Sequence, residues 1–230
     1  MDLTLMDVGR VTRGAYVDAF RAVTGRPLVR LPQLAGRMES EIFFDALAQN
    51  GAGGPGGEEL LGRFSHELAT AFAARRGQLT EQGRLLPGAA EAVAGVSARH
   101  GVLQSVLTGT IRPNAELKLR AFGLDGFFDI EVGGYGSQAY PKGAQLLMTR
   151  TRAAEKYGTA FGEDATVYIA DSIRDVAAAR TGGARCLAVA SGRSPVSALR
   201  AAGADAVFSD LTDTAAVLAA VDRLTLAAAG

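Results

Sequence analysis

The second half of the chain alternates short apolar segments with helix-forming segments, and this alternation constrains the fold more than any other feature. Strands separated by helices of about 10 to 15 residues form βαβ units, whose parallel strands share one sheet with helices on both faces. The sequence therefore predicts an α/β fold with a doubly wound parallel sheet. The predicted strands are Val102–Leu107, Phe127–Val132, Thr166–Ala170, Cys186–Ala190 and Asp205–Phe208.

The region before residue 82 contains only helix patterns. Tyr16, Phe20 and Val23 recur at helical spacing, and further helices are predicted over 39–49 and 58–76. We therefore expect residues 13–81 to form an all-helical domain, inserted into an α/β core made of residues 1–12 and 82–230. Two consecutive domains, helical and then α/β, remain the alternative.

Composition excludes several classes of partner. The chain has 230 residues, and its 24 basic residues balance its 24 acidic ones, so no nucleic-acid partner is expected. There is no apolar run of about 18 residues, so we expect no membrane partner. The single cysteine, Cys186, lies in an apolar segment and permits no internal disulfide, which favours a cytoplasmic location. A monomer or a homodimer is expected.

The segment Thr166–Asp175 is the strongest candidate for a functional site. Its apolar run ends at Asp171, and Asp175 follows one helical turn later. Ligands of open α/β sheets bind at the carboxyl ends of strands, and paired carboxylates there suit a hard cation such as Mg²⁺. Alternatively, Asp171 caps a helix and Asp175 is a solvated acid of its first turn.

Three further groups lie where strands should end. Thr108 and Gly109 follow one predicted strand, Lys142 begins a long helix, and Asp2 lies in the opening segment with Thr4. A hydroxyl next to a glycine offers an oxygen and free backbone N–H groups to phosphate, and a lysine offers a compact positive charge. Each also has a simpler interpretation, as a turn residue, a surface lysine or a terminal residue.

Together these residues resemble the motifs of the haloacid dehalogenase superfamily, in its phosphoglycolate-phosphatase-like branch with a helical cap inserted after the first motif. The first motif is Asp-x-Asp-x-Thr-Leu after an apolar strand, and Asp2, Thr4 and Leu5 match its later part. The second, third and fourth motifs are matched by Thr108, by Lys142, and by Asp171 with Asp175. Two departures are Ala170 in place of a glycine, and Pro-Lys in place of Lys-Pro at the third motif.

The resemblance implies a Rossmann-like core and an Mg²⁺-dependent phosphatase that hydrolyses a small phosphorylated metabolite, a phosphoglycolate-like monoester, through an aspartyl-phosphate. Asp2 would be the acid/base residue, and its backbone carbonyl would reach the metal that Asp171 ligates. Asp175 would ligate the metal through water or hold Lys142. Thr108, Gly109 and Lys142 would bind the phosphate, Thr108 and Lys142 also acting in catalysis. The cap segment 36–47 would contact the substrate.

The same match places the nucleophilic aspartate one position before Met1, together with the apolar strand that leads to it. We therefore expect the natural polypeptide to be longer than these 230 residues. If Asp2 were the nucleophile instead, the Thr-Leu pair would no longer match the motif, which disfavours that register.

Other functions stay open at this point. The chain could be a catalytically inactive phosphate-binding protein or an interaction protein of the same fold, or a haloacid dehalogenase or phosphomutase relative. The family's dehalogenases lack the acid/base aspartate because a halide leaves without a proton, so Asp2 favours phosphate substrates.

Overall fold

The computed structural model describes residues 1–137 and 141–226, and these form an α/β fold with a large helical segment near the start. None of the helices in these ranges is both long and apolar enough to cross a membrane. The strands are β1 (Met6–Asp7), β2 (Arg84–Leu85), β3 (Val167–Ala170), β4 (Arg185–Val189) and β5 (Ala206–Phe208). The helices are α1 (Gly9–Thr24), α2 (Glu39–Gln49), α3 (Gly57–Ala73), α4 (Gln78–Gln82), α5 (Ala89–Ser97), α6 (Arg112–Ala121), α7 (Lys142–Tyr157), α8 (Ile173–Thr181), α9 (Val196–Ala201) and α10 (Thr214–Leu226).

Helices α1 to α3 pack around an aromatic core of their own. Tyr16, Phe20, Phe43 and Phe64 are all at most 1% exposed, and the rings of Phe43 and Phe64 stack with centroids 4.4 Å apart. Tyr16 and Phe20 lie on the apolar stripe that the sequence predicted, and burying all four aromatic side chains drives the helices together.

The parallel sheet has the order β3-β4-β5 and is covered on both faces, as predicted for a doubly wound fold. Side chains alternate between its two faces along each strand. On β4, Cys186 and Ala188 pack with helices α7, α8 and α9, whereas Leu187 and Val189 pack with α5 and α10. The unbroken apolar runs of β3 and β4 follow from this two-sided burial.

Two of the predicted strands, Val102–Leu107 and Phe127–Val132, do not form regular strands. They run alongside each other, but their pairing is reduced to one isolated bridge, between Leu107 and Gly134, and a few hydrogen bonds. The segment 102–107 has this irregular partner on one side and no hydrogen-bonded strand on the other among the described residues. Because a strand is regular only where its backbone groups are paired, the prediction was wrong here.

A short antiparallel pair, missed in the sequence, marks where the chain leaves and re-enters the α/β part. Met6 of β1 pairs with Leu85 of β2, and Asp7 pairs with Arg84. Strands of two residues are too short to show an alternating pattern. Helix α1 begins at Gly9 and α4 ends at Gln82, so the helical segment spans 9–82, slightly more than the 13–81 expected.

Candidate functional site

A cleft of about 650 Å³ lies between the helical segment and the carboxyl ends of the parallel strands. It is lined by every residue that the sequence singled out as a site candidate, although these residues are far apart along the chain. They are Asp2, Thr108, Gly109, Lys142, Asp171 and Asp175. The helical segment contributes Tyr16, Arg37 and Glu39 to the opposite wall.

Asp171 lies at the end of β3 and is only 5% exposed. The Thr4 hydroxyl donates a hydrogen bond of 2.9 Å to its Oδ1. Its Oδ2 lies close under Gly192, where a Cβ atom would be only 2.1 Å away, so a glycine is required there. Burial raises the pKa of the Asp171 carboxyl, and the nearby Asp175 carboxylate adds to that rise. An added cation would relieve both effects.

Asp175 holds Lys142 in the cleft. The Lys142 ammonium donates to Asp175 Oδ1 at 2.7 Å, and the Tyr168 hydroxyl donates to the same oxygen at 2.9 Å. The Ser172 hydroxyl donates to Oδ2 at 2.6 Å. Burial opposes ionisation of Asp175, but Lys142 and these hydrogen bonds outweigh it and lower the pKa of its carboxyl. Both oxygens of Asp175 are thus engaged by side chains.

Asp2 is held by a lysine that sequence reasoning did not identify. Lys118 donates to Asp2 Oδ1 at 2.8 Å and is 1% exposed, and the Thr110 hydroxyl donates to Asp2 Oδ2 at 3.1 Å. Although burial favours the neutral carboxyl, Lys118 lowers the pKa of Asp2. The sequence spacing could have indicated that Lys118 is buried, because it lies on the same face of α6 as the buried residues Ala115 and Leu119.

Glu39 lies in the segment 36–47 that was expected to contact the substrate, and it is buried at the start of α2. Its carboxylate accepts a hydrogen bond from the Tyr16 hydroxyl. Burial raises the pKa of the Glu39 carboxyl to about 7. The sequence indicated the segment but not this residue, because an acid in the first turn of a helix is ordinary on an exposed surface.

The loop at Thr108 and Gly109 is packed directly against the helical segment. The backbone N–H of Glu39 donates to the Gly109 carbonyl at 2.9 Å. A Cβ atom at Gly109 would lie 1.8 Å from the carbonyl oxygen of Arg37, so only glycine permits this contact. Thr108 is 4% exposed, and its Oγ1 accepts a hydrogen bond of 3.2 Å from the Thr110 N–H.

The donor atoms of the cleft suit a hard cation, but they do not form a complete cage. Within residues 1–137 and 141–226, no three acidic, histidine or cysteine side chains are grouped closely enough to hold a metal ion. Asp175 is engaged with Lys142, which leaves Asp171 as the carboxylate for a cation, together with the backbone carbonyl of Asp2 that the family resemblance implies. Mg²⁺ commonly binds through one or two carboxylates and retains several waters, so these residues fit it.

Comparison with protein families gives one match. The family model described as HAD, haloacid dehalogenase-like hydrolase, matches residues 1–180. The matched region includes the helical segment and the end of β3 with Asp171 and Asp175. No curated protein matches the chain.

Solved structures share the fold over nearly the whole chain. A hydrolase from Pseudomonas syringae is 25% identical, with a TM-score of 0.66, and the match covers 95% of this chain and 94% of that one. A predicted phosphatase from Clostridium acetobutylicum is 15% identical, with a TM-score of 0.68 and 94% of each chain covered. A predicted phosphoglycolate phosphatase from Haemophilus somnus is 19% identical, with a TM-score of 0.62 and 94% of each chain covered.

Proposed function

The chain belongs to the haloacid dehalogenase-like hydrolase family, and from this premise we propose that it hydrolyses the phosphoric monoester of a small metabolite with the help of Mg²⁺. One observation carries the proposal. The Thr108 hydroxyl, the Lys142 ammonium and the Asp171 carboxylate line one cleft beneath the helical segment. A phosphate ester needs this combination of hydrogen-bond donors, positive charge and hard oxygen ligands.

Thr108 and Lys142 bind the phosphoryl oxygens in this proposal. Lys142 is already oriented by Asp175, so its ammonium needs little reorganisation when the transferring phosphoryl group gains charge. Asp171, with the backbone carbonyl of Asp2, holds the Mg²⁺. When bound, the cation neutralises charge on the phosphoryl oxygens.

Asp2 transfers the proton. Lys118 keeps its carboxylate ionised in the free protein, and the approach of a phosphate dianion raises its pKa, because like charges disfavour each other. Asp2 can then carry the proton that the leaving alcohol oxygen takes up, and it later accepts a proton from the attacking water.

The nucleophile is assigned to an aspartate directly before Met1, as the family's first motif implies. Its carboxylate oxygen attacks phosphorus, the ester oxygen leaves as the alcohol, and water then cleaves the aspartyl-phosphate. Met1 itself lines the cleft, which supports this assignment.

The helical segment acts as the substrate-selecting cap in this proposal, because Arg37 and Glu39 face the catalytic residues across the cleft. Whether these residues select a phosphoglycolate-like ester stays a prediction from the family resemblance, as does the cytoplasmic location.

The test is phosphate release from a chromogenic phosphate ester, with and without Mg²⁺. Three proteins are compared: residues 1–230, the same chain preceded by an apolar segment and an aspartate, and the matched form with asparagine in place of that aspartate. We expect Mg²⁺-dependent turnover only in the aspartate form. Equal turnover in the asparagine form would reject the nucleophile assignment.

If none of the three proteins releases phosphate but each binds inorganic phosphate, the chain is a phosphate-binding protein and not a phosphatase. Return of the phosphoryl group to another position of a sugar phosphate, without free phosphate, would identify a mutase instead.

A further inference from the structure

The basic side chains that line the cleft divide into those with a partner and those without. They are Arg10, Arg13, Arg37, Lys118, Lys142 and Arg193. The two lysines are held by Asp2 and Asp175. Arg37 pairs with Asp45 at 2.7 Å. These three cations are therefore already engaged within the protein.

The other three, Arg10, Arg13 and Arg193, make no ion pair and no side-chain hydrogen bond with any residue of the ranges 1–137 and 141–226. All three are exposed where they line the cleft. An arginine presents its N–H donors in a planar fork that matches the oxygens of phosphate and carboxylate groups. Three guanidinium groups are thus available to a ligand in the cleft.

The carboxylates of the cleft do not neutralise these arginines. Two of them hold the lysines, and Asp171 is the proposed Mg²⁺ ligand. Burial raises the pKa of the Glu39 carboxyl to about 7, so it carries little charge below that pH. Asp7 lies 4.0 Å from Arg84, outside this group of arginines. The unpaired charge in the cleft is therefore mainly positive, although the whole chain has equal numbers of basic and acidic residues.

Arg10 and Arg13 lie near the start of α1, where neither of them stabilises the helix. Residues three positions apart are neighbours on a helix surface, so the two like charges repel each other. The first turn of α1 contains no acidic residue, and the helix dipole disfavours a cation at this end. A bound anion would offset both repulsions.

The three arginines are not needed for the reacting phosphoryl group, which Thr108, Lys142 and Mg²⁺ already serve in the proposed function. They come from two walls of the cleft, α1 on one side and the loop after β4 on the other. The cleft volume of about 650 Å³ is in the range of pockets that hold a whole small metabolite. An anion bound by these arginines therefore belongs to another part of the substrate.

We propose that the leaving alcohol carries a second phosphoryl group, which Arg10, Arg13 and Arg193 bind, so that the substrate is a bisphosphorylated metabolite. A phosphoryl group brings nearly two negative charges and three acceptor oxygens, which several guanidinium groups can share. A carboxylate has one charge, and a single arginine can bind both of its oxygens. This inference rests on the proposed function and names its substrate class.

The test is the binding of phosphonates, whose carbon–phosphorus bond is not hydrolysed, to the 230-residue chain with Mg²⁺, measured by calorimetry. Three probes share the same short alkane chain with a phosphonate at one end. The other end carries a second phosphonate, a carboxylate or a hydroxyl group. We expect the bisphosphonate to bind at least tenfold more tightly than the hydroxyl probe and at least threefold more tightly than the carboxylate probe.

Substitution of the two arginines of α1 separates a defined subsite from general attraction. In the double variant Arg10→Gln with Arg13→Gln, the preference for the bisphosphonate over the hydroxyl probe should fall at least fivefold. The matched control is Arg21→Gln with Arg63→Gln, which removes the same charge from exposed positions of the helical segment that do not line the cleft. The control should keep the preference.

Equal binding of the bisphosphonate and the hydroxyl probe would overturn the proposal but not the proposed function, because the hydroxyl probe still occupies the reacting end. Binding of the carboxylate probe as tightly as the bisphosphonate would assign the arginines to a carboxylate and overturn it too. An equal loss of preference in the control variant would show general electrostatic attraction only and would reject it. Failure of all three probes to bind would reject it together with the proposed function.

Discussion

At the scale of single residues, the cleft contains carboxylates whose pKa values are shifted in opposite directions. Lys118 lowers the pKa of Asp2, and Lys142 lowers that of Asp175. Asp171 makes no salt bridge with a lysine or arginine side chain in the described part of the chain, and burial raises its pKa. The carboxylate without a side-chain cation of its own is therefore the one where an added cation is most favourable.

Replacing Asp171 by asparagine tests the metal site. In the form that carries the additional apolar segment and aspartate before Met1, called the competent form below, we expect Asp171→Asn to lower kcat by about 10²-fold or more. This is the usual loss when one preorganised electrostatic partner is removed. The melting temperature without Mg²⁺ should hardly fall, because the amide still accepts from Thr4 and a costly buried charge is gone. Unchanged turnover would contradict the assignment of Asp171 to the metal.

Replacing Lys118 by methionine tests the buried ion pair. Lys118→Met leaves the Asp2 carboxylate without its cation, and we expect the free energy of unfolding to fall by about 1–3 kcal/mol, reduced from the fully buried case because Asp2 is partly exposed. The double variant with Asp2→Asn should recover part of that loss. Urea unfolding of the four proteins in the cycle measures it, and strictly additive effects would rule out the coupling.

Replacing Glu39 by glutamine tests the effect of pH. Glu39 keeps its proton in the folded protein up to pH about 7, whereas the unfolded chain releases it near pH 4.5. Between these values the folded state binds more protons, so the free energy of unfolding falls as pH rises, by about 3 kcal/mol in total. Glu39→Gln should remove this slope in urea unfolding from pH 4.5 to 8, and Glu58→Gln, at an exposed position, should preserve it.

At the scale of elements, two loops hold the helical segment against the sheet. The loop before α2 lies on the loop after residue 107, with the Glu39 N–H donating to the Gly109 carbonyl. Glycines make this close approach possible, because a Cβ atom at Gly136 would lie 1.5 Å from the same carbonyl oxygen. The contact between the helical segment and the loop at Thr108 and Gly109 is therefore made by backbone atoms.

A methyl group at Gly109 should force these loops apart. We expect Gly109→Ala to speed hydrogen exchange of the Glu39 amide at least tenfold and to reduce turnover in the competent form, because the loops cannot both keep their positions. Gly62→Ala is the matched control: Gly62 lies in α3 with nothing within 4 Å, and alanine should stabilise that helix by about 1 kcal/mol. Equal exchange of the Glu39 amide in both variants would contradict the close contact.

At the scale of the whole molecule, the apolar interior is divided into separate clusters. The aromatic core of the helical segment is one, and the sheet β3-β4-β5 is flanked by two others. A further cluster surrounds Val106 and Leu119, beside the irregular segment 102–107.

Local patterns in the sequence predicted much of the architecture. Strands β3 and β4 were identified because two-sided burial makes their apolar runs continuous, and α2 was predicted at about the position where it occurs. Thr108, Lys142 and Asp171 were selected because polar residues at the carboxyl ends of parallel strands meet at one edge. These features depend on burial and spacing, and both can be inferred from residues that are close together in the sequence.

Only the tertiary structure decided the features that depend on distant partners. Lys118 and Asp2 are 116 positions apart, and their ion pair depends on how α6 packs against the start of the chain. Glu39 became a buried acid because α2 begins against the loop at Gly109. The segment 102–107 has strand composition but irregular structure, because regular pairing requires a regular neighbouring strand and no pattern within a segment shows whether one is present.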